Sequence, residues 1–214
     1  MQRLTEYDCR PLLKKYKIPV PEAYLAKSAD EARMYAKKIG YPVVLKLMSP
    51  QALHKTDIGG VIMNIEDPEG LLKAYNKLLS NAKAQGNIKV DGILVEETLS
   101  GIQIIVGALQ DPQFGPVVMF GVGGIFVELL HDVSFRVIPI TKHDSEKMIS
   151  EIKAYDILCG ARGQKPVNIR AISDTLLKIS NMVDSEKNIL ELDINPLFVN
   201  DKGAVCGDAR IIIA

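Results

Sequence analysis

A histidine beside a lysine, shortly before a pair of glycines, is the clearest group in this sequence that could do chemistry. His54 and Lys55 lie in "SPQALHKTDIGGV", followed by Gly59 and Gly60. An imidazole accepts a phosphoryl group as a nucleophile when cations and backbone amides stabilise the charge. Lys55 and the glycine amides would supply those groups. The alternative interpretations are an ordinary exposed loop histidine and tight-turn glycines.

Three oxygen-bearing side chains meet on one face of a hairpin predicted near the C-terminus. With a four-residue loop over 200–203, Asn195 pairs with Asp208 across the hairpin. Side chains alternate along a strand, so Asp193 shares the face of Asn195. Mg²⁺ is usually held by one or two carboxylates plus substrate phosphates, which fits this set. The alternative is a solvated face of an edge hairpin, and Pro196 favours an edge or a bulge.

Charged residues within or at the end of apolar strands are two further candidates. Lys46 lies inside "VVLKL", where it predicts either a phosphate ligand or a side chain that reaches out to solvent. Glu96 and Glu97 end the strand "GILVEE". Their carboxylates, with the backbone of Val95 and Glu97 nearby, could bind a ribose or an adenine amine. Exposed charge at a strand end is the alternative.

The segments around these residues alternate between helix and strand patterns. Ser28, Asp67, Asp144 and Asn168 are predicted helix caps, and the strand predicted at 42–47 carries the lysine. Further strands are predicted at "VIMNI", "QIIVGALQ", "PVVMF" and "SFRVIPI". This order predicts an α+β or α/β enzyme-like domain with mixed sheets, whose lobes, if two, join near 95–97.

Bulk properties exclude several classes of function. The chain has 214 residues, 47% apolar and 24% charged, with 26 basic against 26 acidic side chains. A net charge near zero favours neither nucleic acid nor an anionic membrane as partner. Three widely spaced cysteines form no disulfide or metal pattern, and no signal peptide or spanning segment is visible. We therefore expect a cytoplasmic protein.

Long stretches of the chain resemble one family. "YPVVLKLMSPQALHKTDIGGV", "DPQFGPVVMFGVGGIFVELLHDVSFRVIPIT", "ILCGARG" and "LELDINPLFV", with "GDARI", are similar to ATP-grasp proteins. The resemblance is narrower still to the nucleotide-binding β subunit of ADP-forming acetyl-CoA synthetase, an NDP-forming acyl-CoA synthetase. It covers nearly the whole chain.

The resemblance implies an α+β ATP-grasp fold, with ATP or ADP bound between two lobes. Residues 1–22 would be an N-terminal helix and extended lead-in, 23–95 the first lobe and 96–214 the second. Expected roles are phosphate binding by Lys46, a transient phosphohistidine at His54, and a hinge for adenine and ribose. The hinge residues would be Val95, Glu96 and Glu97; Lys55, Gly59 and Gly60 would also contact the nucleotide.

In the second lobe, the resemblance implies Asn195 and Asp208 as Mg²⁺ ligands and Asp193 as the carboxylate that orients the histidine. The implied reaction is that of an acid–thiol ligase, acyl-CoA + ADP + Pi to acid + CoA + ATP. The implied partner is a CoA-binding α subunit in an α2β2 complex, with neither nucleic acid nor membrane involved.

The sequence departs from the family at Gln103, where related chains usually carry glutamate. A neutral amide still hydrogen-bonds but provides no charged ligand, so Gln103, Glu128 and Arg162 have no assigned role. Two other hypotheses stay open. One is a stand-alone ATP-grasp carboxylate–amine ligase, which needs no histidine; the other is a non-catalytic nucleotide-sensing module.

Overall fold

The computed structural model of this chain describes residues 1–52, 55, 57–86, 88–123, 131–163 and 165–214, apart from the side chain of Arg162. The chain divides into two compact units. The inserted unit is Pro21–Thr98. The large unit combines Met1–Val20 with Leu99–Ala214, so the second crossing lies just beyond the predicted junction at 95–97.

Eleven strands and six α-helices are assigned within the described residues. In chain order they are β1 (Gln2–Leu4), α1 (Glu6–Lys15), β2 (Ala23–Ala26), α2 (Ala29–Ile39), β3 (Val43–Met48), β4 (Val61–Ile65), α3 (Pro68–Ala84), β5 (Gly92–Glu97), β6 (Ile102–Asp111), β7 (Gly115–Val122), β8 (Val133–Val137), α4 (Lys142–Glu151), α5 (Tyr155–Leu158), α6 (Ile169–Ser185), β9 (Ile189–Val199), β10 (Ala204–Cys206) and β11 (Ala209–Ile213). A 3₁₀ turn covers Ala161–Gly163. Within the described ranges, none of these helices is long and apolar enough to cross a bilayer.

The large unit is built on a seven-stranded antiparallel sheet. Its order is β1-β11-β9-β6-β7-β8, and β10 also pairs with β9. Helices α1, α4 and α6 contribute to one core with strand residues such as Phe120, Leu192 and Ile194. The N-terminal segment belongs to this unit because Gln2 pairs with Ile213, which ties the two ends of the chain together.

The inserted unit has a four-stranded antiparallel sheet of order β2-β5-β3-β4. Alternate residues Val43, Leu45 and Leu47 on β3, and Ile93 and Val95 on β5, form one core with residues of α2 and α3. Period two therefore directs the intervening residues of β3 and β5 to the opposite face.

Helix starts follow the predicted caps, with one correction. Ser28, Asp67 and Asn168 each accept a hydrogen bond from the backbone N–H three residues on. Asp144 is not the N-cap of α4. Thr141 caps that helix, and Asp144 is its third residue, whose carboxylate accepts from the Thr141 N–H at 2.8 Å. The reciprocal capping box satisfies two backbone donors and therefore begins the helix three residues earlier.

Candidate functional site

Lys46 is buried in the inserted unit and paired with a carboxylate. Its Nζ lies 2.6 Å from Oε1 of Glu96, and the two side chains are 9% and 3% exposed. Both project from the sheet face opposite α2 and α3. The hypothesis that Lys46 reaches out to solvent is therefore wrong. A buried ammonium is costly unless it is paired with an anionic group. The strand "VVLKL" contains no such group, and the carboxylate of Glu96 supplies it.

The three predicted hinge residues differ in what they can offer a ligand. Val95 is fully buried in the helix-facing core, and its backbone pairs on both sides with Tyr24 and Leu45. Glu96 is buried and forms the ion pair with Lys46. Glu97 is the last residue of β5 and half-buried, with its N–H donated to the carbonyl of Glu22 at 3.1 Å. A carboxylate for a nucleotide hydroxyl or amine is thus more accessible at Glu97 than at Glu96.

His54, the predicted phosphoryl acceptor, lies outside the described residues, but the turn that follows it is described. The Gly60 N–H donates to the carbonyl of Lys55 at 2.6 Å, and the Gly60 carbonyl accepts from Leu47 at 2.8 Å. A Cβ on Gly60 would lie 2.8 Å from that same Lys55 oxygen. Gly60 is therefore required by the turn, and its amide is already used within it.

Gly59 has a different constraint in the same turn. Its φ is +61°, and its carbonyl accepts a hydrogen bond of 2.8 Å from Nδ2 of Asn81 on α3. A Cβ there would lie 2.6 Å from that nitrogen. Both glycines thus have the turn role that was the alternative interpretation, and the hydrogen bond from Asn81 joins Gly59 to α3.

The hairpin register near the C-terminus is as predicted. Val199 pairs with Ala204, and the Asn195 N–H donates to the carbonyl of Asp208 at 3.1 Å. Asp193 and Asn195 project from the sheet face opposite the core residues Leu192 and Ile194. β9 is not an edge strand, because it lies between β6 and β11, but its register against β6 shifts between Ile194 and Leu197, which is the bulge that Pro196 favoured.

Arg210 and Glu191 join this face, and sequence reasoning missed both. Arg210 pairs directly with Asp193 across β9 and β11 and forms an ion pair with Glu191. Burial raises the pKa of Asp193, Arg210 opposes that shift, and Glu191 adds to it. Among the described residues, Nε of Arg210 is buried without a hydrogen-bond partner. The same register count that found Asp208 would have found Arg210.

The donor set fits a magnesium ion shared with a ligand. One carboxylate, Asp208, and one amide oxygen, Asn195, stand opposite each other, and Asp193 is two residues away. Within the described ranges, no three His, Cys, Asp or Glu side chains group closely enough to hold a metal by themselves. Mg²⁺ bound by few protein oxygens takes its remaining ligands from water and phosphates, so Asn195 and Asp208 would suffice beside a nucleotide.

Gln103, Glu128 and Arg162 were left without an assigned role by the sequence. Gln103 lies exposed on β6 opposite Phe198, and its carbonyl accepts from the Gly123 N–H at 2.8 Å. Glu128 lies outside the described residues, and of Arg162 only the backbone, in the 3₁₀ turn, is described.

One unit carries a buried lysine on its sheet, and the other carries the oxygen-bearing side chains of Asp193 and Asn195 on its sheet. The family model for the ATP-grasp domain matches residues 1–213. The chain belongs to the ATP-grasp family, as its sequence suggested.

Within that family it belongs with the β subunits of ADP-forming acetate–CoA ligases. It is 53% identical to the β subunit of acetate–CoA ligase (ADP-forming) II of Pyrococcus furiosus, over 98% of this chain and 91% of that one. A structure of the acetyl-coenzyme A synthetase 1 of Ca. Korarchaeum cryptofilum, in complex with coenzyme A, Ca-AMPCP and HgCl⁺, is 46% identical with a TM-score of 0.97, covering 100% and 94% of the two chains.

A second structure of the Korarchaeum synthetase contains coenzyme A and Mg-AMPPCP, with its phosphohistidine segment pointing towards the nucleotide-binding site. It is 42% identical to this chain with a TM-score of 0.87, covering 100% and 93% of the two chains. The α+β ATP-grasp fold predicted from the sequence is thereby confirmed.

Proposed function

We propose that this chain is the nucleotide-binding β subunit of an ADP-forming acyl-CoA synthetase. It would transfer a phosphoryl group between a phosphohistidine and ADP in the reversible reaction acyl-CoA + ADP + Pi to acid + CoA + ATP. The observation that carries the proposal is the 53% identity, over nearly the full length of both chains, with a β subunit of acetate–CoA ligase (ADP-forming). Acetyl-CoA is accordingly the first substrate to test.

The nucleotide would be bound mainly through its charges. Enzymatic phosphoryl transfer depends on positioning and charge stabilisation more than on covalent help from the protein. The ammonium of Lys46 would bind a phosphate, and Glu97 at the end of β5 would bind the ribose or adenine. Asn195 and Asp208 would hold Mg²⁺, which when bound neutralises phosphate charge.

The transfer itself would use His54. In the direction of ATP synthesis, the P–N bond of the phosphohistidine breaks and a terminal ADP oxygen forms the new P–O bond, leaving a neutral imidazole. Asp193 would orient the ring by accepting its other N–H. Arg210 supports this role, because its charge favours the ionised carboxylate against the burial that raises the pKa of Asp193.

The acyl-CoA half of the reaction would take place on a partner. The relative that carries the proposal is a β subunit, which implies an α subunit. We propose that the partner binds CoA and assembles with this chain as α2β2 in the cytoplasm. The three widely spaced cysteines of the chain fit that reducing compartment.

Labelling with γ-³²P-labelled ATP tests the proposal. The parent chain should acquire an acid-labile, base-stable label, His54→Asn should lose it, and both should bind MgADP equally well. His143→Asn, an exposed histidine on α4, is the matched control and should label like the parent.

Three outcomes would contradict the proposal in different ways. Label retained in His54→Asn would remove the assigned role of His54. MgADP binding without a label, even with a CoA-binding partner and an acyl-CoA panel, would favour a nucleotide-sensing module. Ligase activity of the isolated chain without any partner would favour a carboxylate–amine ligase.

A further inference from the structure

The carboxylate of Asp193 has one cross-strand neighbour that could bind it, and that neighbour is bound elsewhere. Asp193 pairs with Gly107 on β6 and with Arg210 on β11. Gly107 has no side chain, and the guanidinium of Arg210 binds Glu191, with Nη2 2.5 Å from Oε1. Among the described residues, no group donates a hydrogen bond to the Asp193 carboxylate. Its oxygens can therefore accept from a group that docks on this face.

Arg210 could reach either of two carboxylates on β9. Asp193 lies directly opposite Arg210, whereas Ile212 lies opposite Glu191, so the ion pair with Glu191 runs diagonally across the two strands. Directly opposite Cβ atoms are about 4.5–5.5 Å apart and diagonal neighbours about 7–8 Å, a span that long side chains cover. The guanidinium thus binds the more distant carboxylate, and this ion pair directs it along β9 and away from Asp193.

We propose that Glu191 is a positioning residue: its ion pair keeps the guanidinium of Arg210 from binding Asp193, so that the Asp193 carboxylate stays open to accept the ring N–H of His54. This inference rests on the proposed function, in which Asp193 orients His54. The charge of Arg210 still acts on Asp193 from the neighbouring strand, but it does not occupy the carboxylate oxygens. Glu191 acts only through Arg210.

The exposure of this pair gives it a matched counterpart in the same sheet. The side chains of Arg210 and Glu191 are 34% and 41% exposed. Those of Arg136 and Glu151 are 30% and 41% exposed and lie 2.7 Å apart, but Arg136 is on β8, which β6 and β7 separate from β9. Partly exposed pairs contribute little to folding, so breaking either pair should leave the chain folded.

A double-mutant cycle on the labelling rate tests the assignment. The full chain and the variants Glu191→Gln, Arg210→Met and Glu191→Gln/Arg210→Met are incubated with γ-³²P-labelled ATP, and MgADP binding is measured by calorimetry. In Glu191→Gln the released guanidinium should bind Asp193. A hydrogen bond to a charged group corresponds to about tenfold or more, so the initial rate should fall by about that factor, with MgADP affinity unchanged.

The double variant gives the result that a general effect on the fold would not. It has no guanidinium to bind Asp193, so it should label at the rate of Arg210→Met and faster than Glu191→Gln. A second substitution that restores the rate identifies Arg210 as the group through which Glu191 acts. If Arg210→Met does not fold, Arg210→Gln takes its place in the cycle.

Two single variants serve as controls for charge and for fold. Glu151→Gln breaks the matched ion pair and should label like the parent. Glu191→Asp keeps the charge and should recover part of the rate lost in Glu191→Gln. All variants are compared below their melting temperatures, which differential scanning calorimetry provides.

A parent-like rate in Glu191→Gln would overturn the inference. So would a double variant that labels more slowly than Arg210→Met, since Glu191 would then act independently of Arg210. A weaker MgADP affinity that accounts for the whole loss in Glu191→Gln would also overturn it. Each of these results would leave the proposed function intact, provided that the parent is labelled on His54. A parent chain that acquires no label would instead overturn the proposed function and this inference with it.

Discussion

Opposite Asp193 stands an arginine, and this pairing shows how single residues shape the face on β9 and β11. Asp193 is half-buried, which raises the pKa of its carboxyl, and Arg210 works against that shift. Glu191 binds Arg210 from two positions along β9. The charges of Asp193, Glu191 and Arg210 on this face are therefore coupled.

Asp208→Asn tests the proposed metal role at this scale. Losing one of two protein ligands should weaken ADP binding at saturating Mg²⁺ by at least about tenfold, since even outer-shell partners of a metal contribute 10- to 100-fold. Binding of ADP in EDTA should change little. Titrations of ADP with and without Mg²⁺ distinguish a loss of metal-dependent binding from a loss of binding that does not depend on the metal.

Asp201→Asn serves as the control for that experiment, because Asp201 is an exposed carboxylate in the turn of the same hairpin. It should match the parent in both buffers. An equal loss for Asp208→Asn with and without Mg²⁺ would show that Asp208 acts on the fold or the nucleotide and not on a metal.

At the scale of elements, the turn after His54 is defined by contacts that leave no room for a side chain. Gly60→Ala places a Cβ 2.8 Å from the Lys55 carbonyl, a backbone atom that cannot move freely. Overpacking of this kind costs about 1–3 kcal/mol, so the Tm should fall by several degrees. Labelling of His54 should slow as well, because this turn directly follows the histidine in the chain.

Gly203→Ala is the matched control, since a Cβ there meets no atom within 4 Å. Differential scanning calorimetry and the initial rate of ³²P incorporation are the two measurements. If Gly60→Ala melted and labelled like Gly203→Ala, the turn would have no part in holding the histidine segment.

The tie between β8 and α4 gives a pH-dependent prediction. Arg136 binds Glu151 through two contacts of 2.7 Å, and this hydrogen bonding lowers the pKa of Glu151 from its ordinary 4.5. A lowered folded-state pKa means stability that is present at neutral pH and is lost as the pH falls through that pKa. The pair is partly exposed, so its contribution is at most about 1 kcal/mol.

Glu151→Gln should therefore melt below the parent at pH 7, and the gap should close as the pH falls well below 4.5. Glu146→Gln on the same helix breaks a looser contact of 3.7 Å to Lys142 and should show no gap at either pH. A gap for Glu151→Gln that persisted in acid would assign the loss to packing and not to the charge.

Rules that use only neighbouring residues correctly predicted the features that depend on short-range geometry. Turn length and alternation were enough to place Asn195 opposite Asp208, and cap chemistry placed the starts at Ser28 and Asp67. The partner of Lys46 could not be found in this way. Glu96 reaches it only because β5 pairs with β3 across 50 residues of sequence, a non-local choice that alternation does not encode.

At the scale of the whole molecule, short-range patterns again fail to predict a non-local strand pairing. This explains why the pairing of the N-terminal segment was not predicted. Gln2 pairs with Ile213, so β1, the first strand, joins the sheet by pairing with β11, the last strand. The large unit is therefore discontinuous in sequence, and Pro21–Thr98 is inserted into it. No short-range pattern in residues 1–22 predicts that this segment pairs with the last strand of the chain.

The inserted unit has what an independent domain requires. Its four strands are all paired within Pro21–Thr98, and α2 and α3 close one core with residues such as Leu45, Leu71 and Leu78, all fully buried. Domains of this size do fold alone, although with modest stability. We therefore expect residues 21–98 expressed alone to unfold cooperatively and to give dispersed amide NMR signals.

Leu71→Ala within that fragment is the sharper version of the test. Removing a buried leucine should cost about 2–5 kcal/mol, which is comparable with the whole stability of so small a domain. Leu72→Ala, at the adjacent and more exposed position on α3, should leave the fragment folded. If the parent fragment lacked cooperative unfolding, the large unit would be needed to fold it, and the boundary at Thr98 would not separate independent domains.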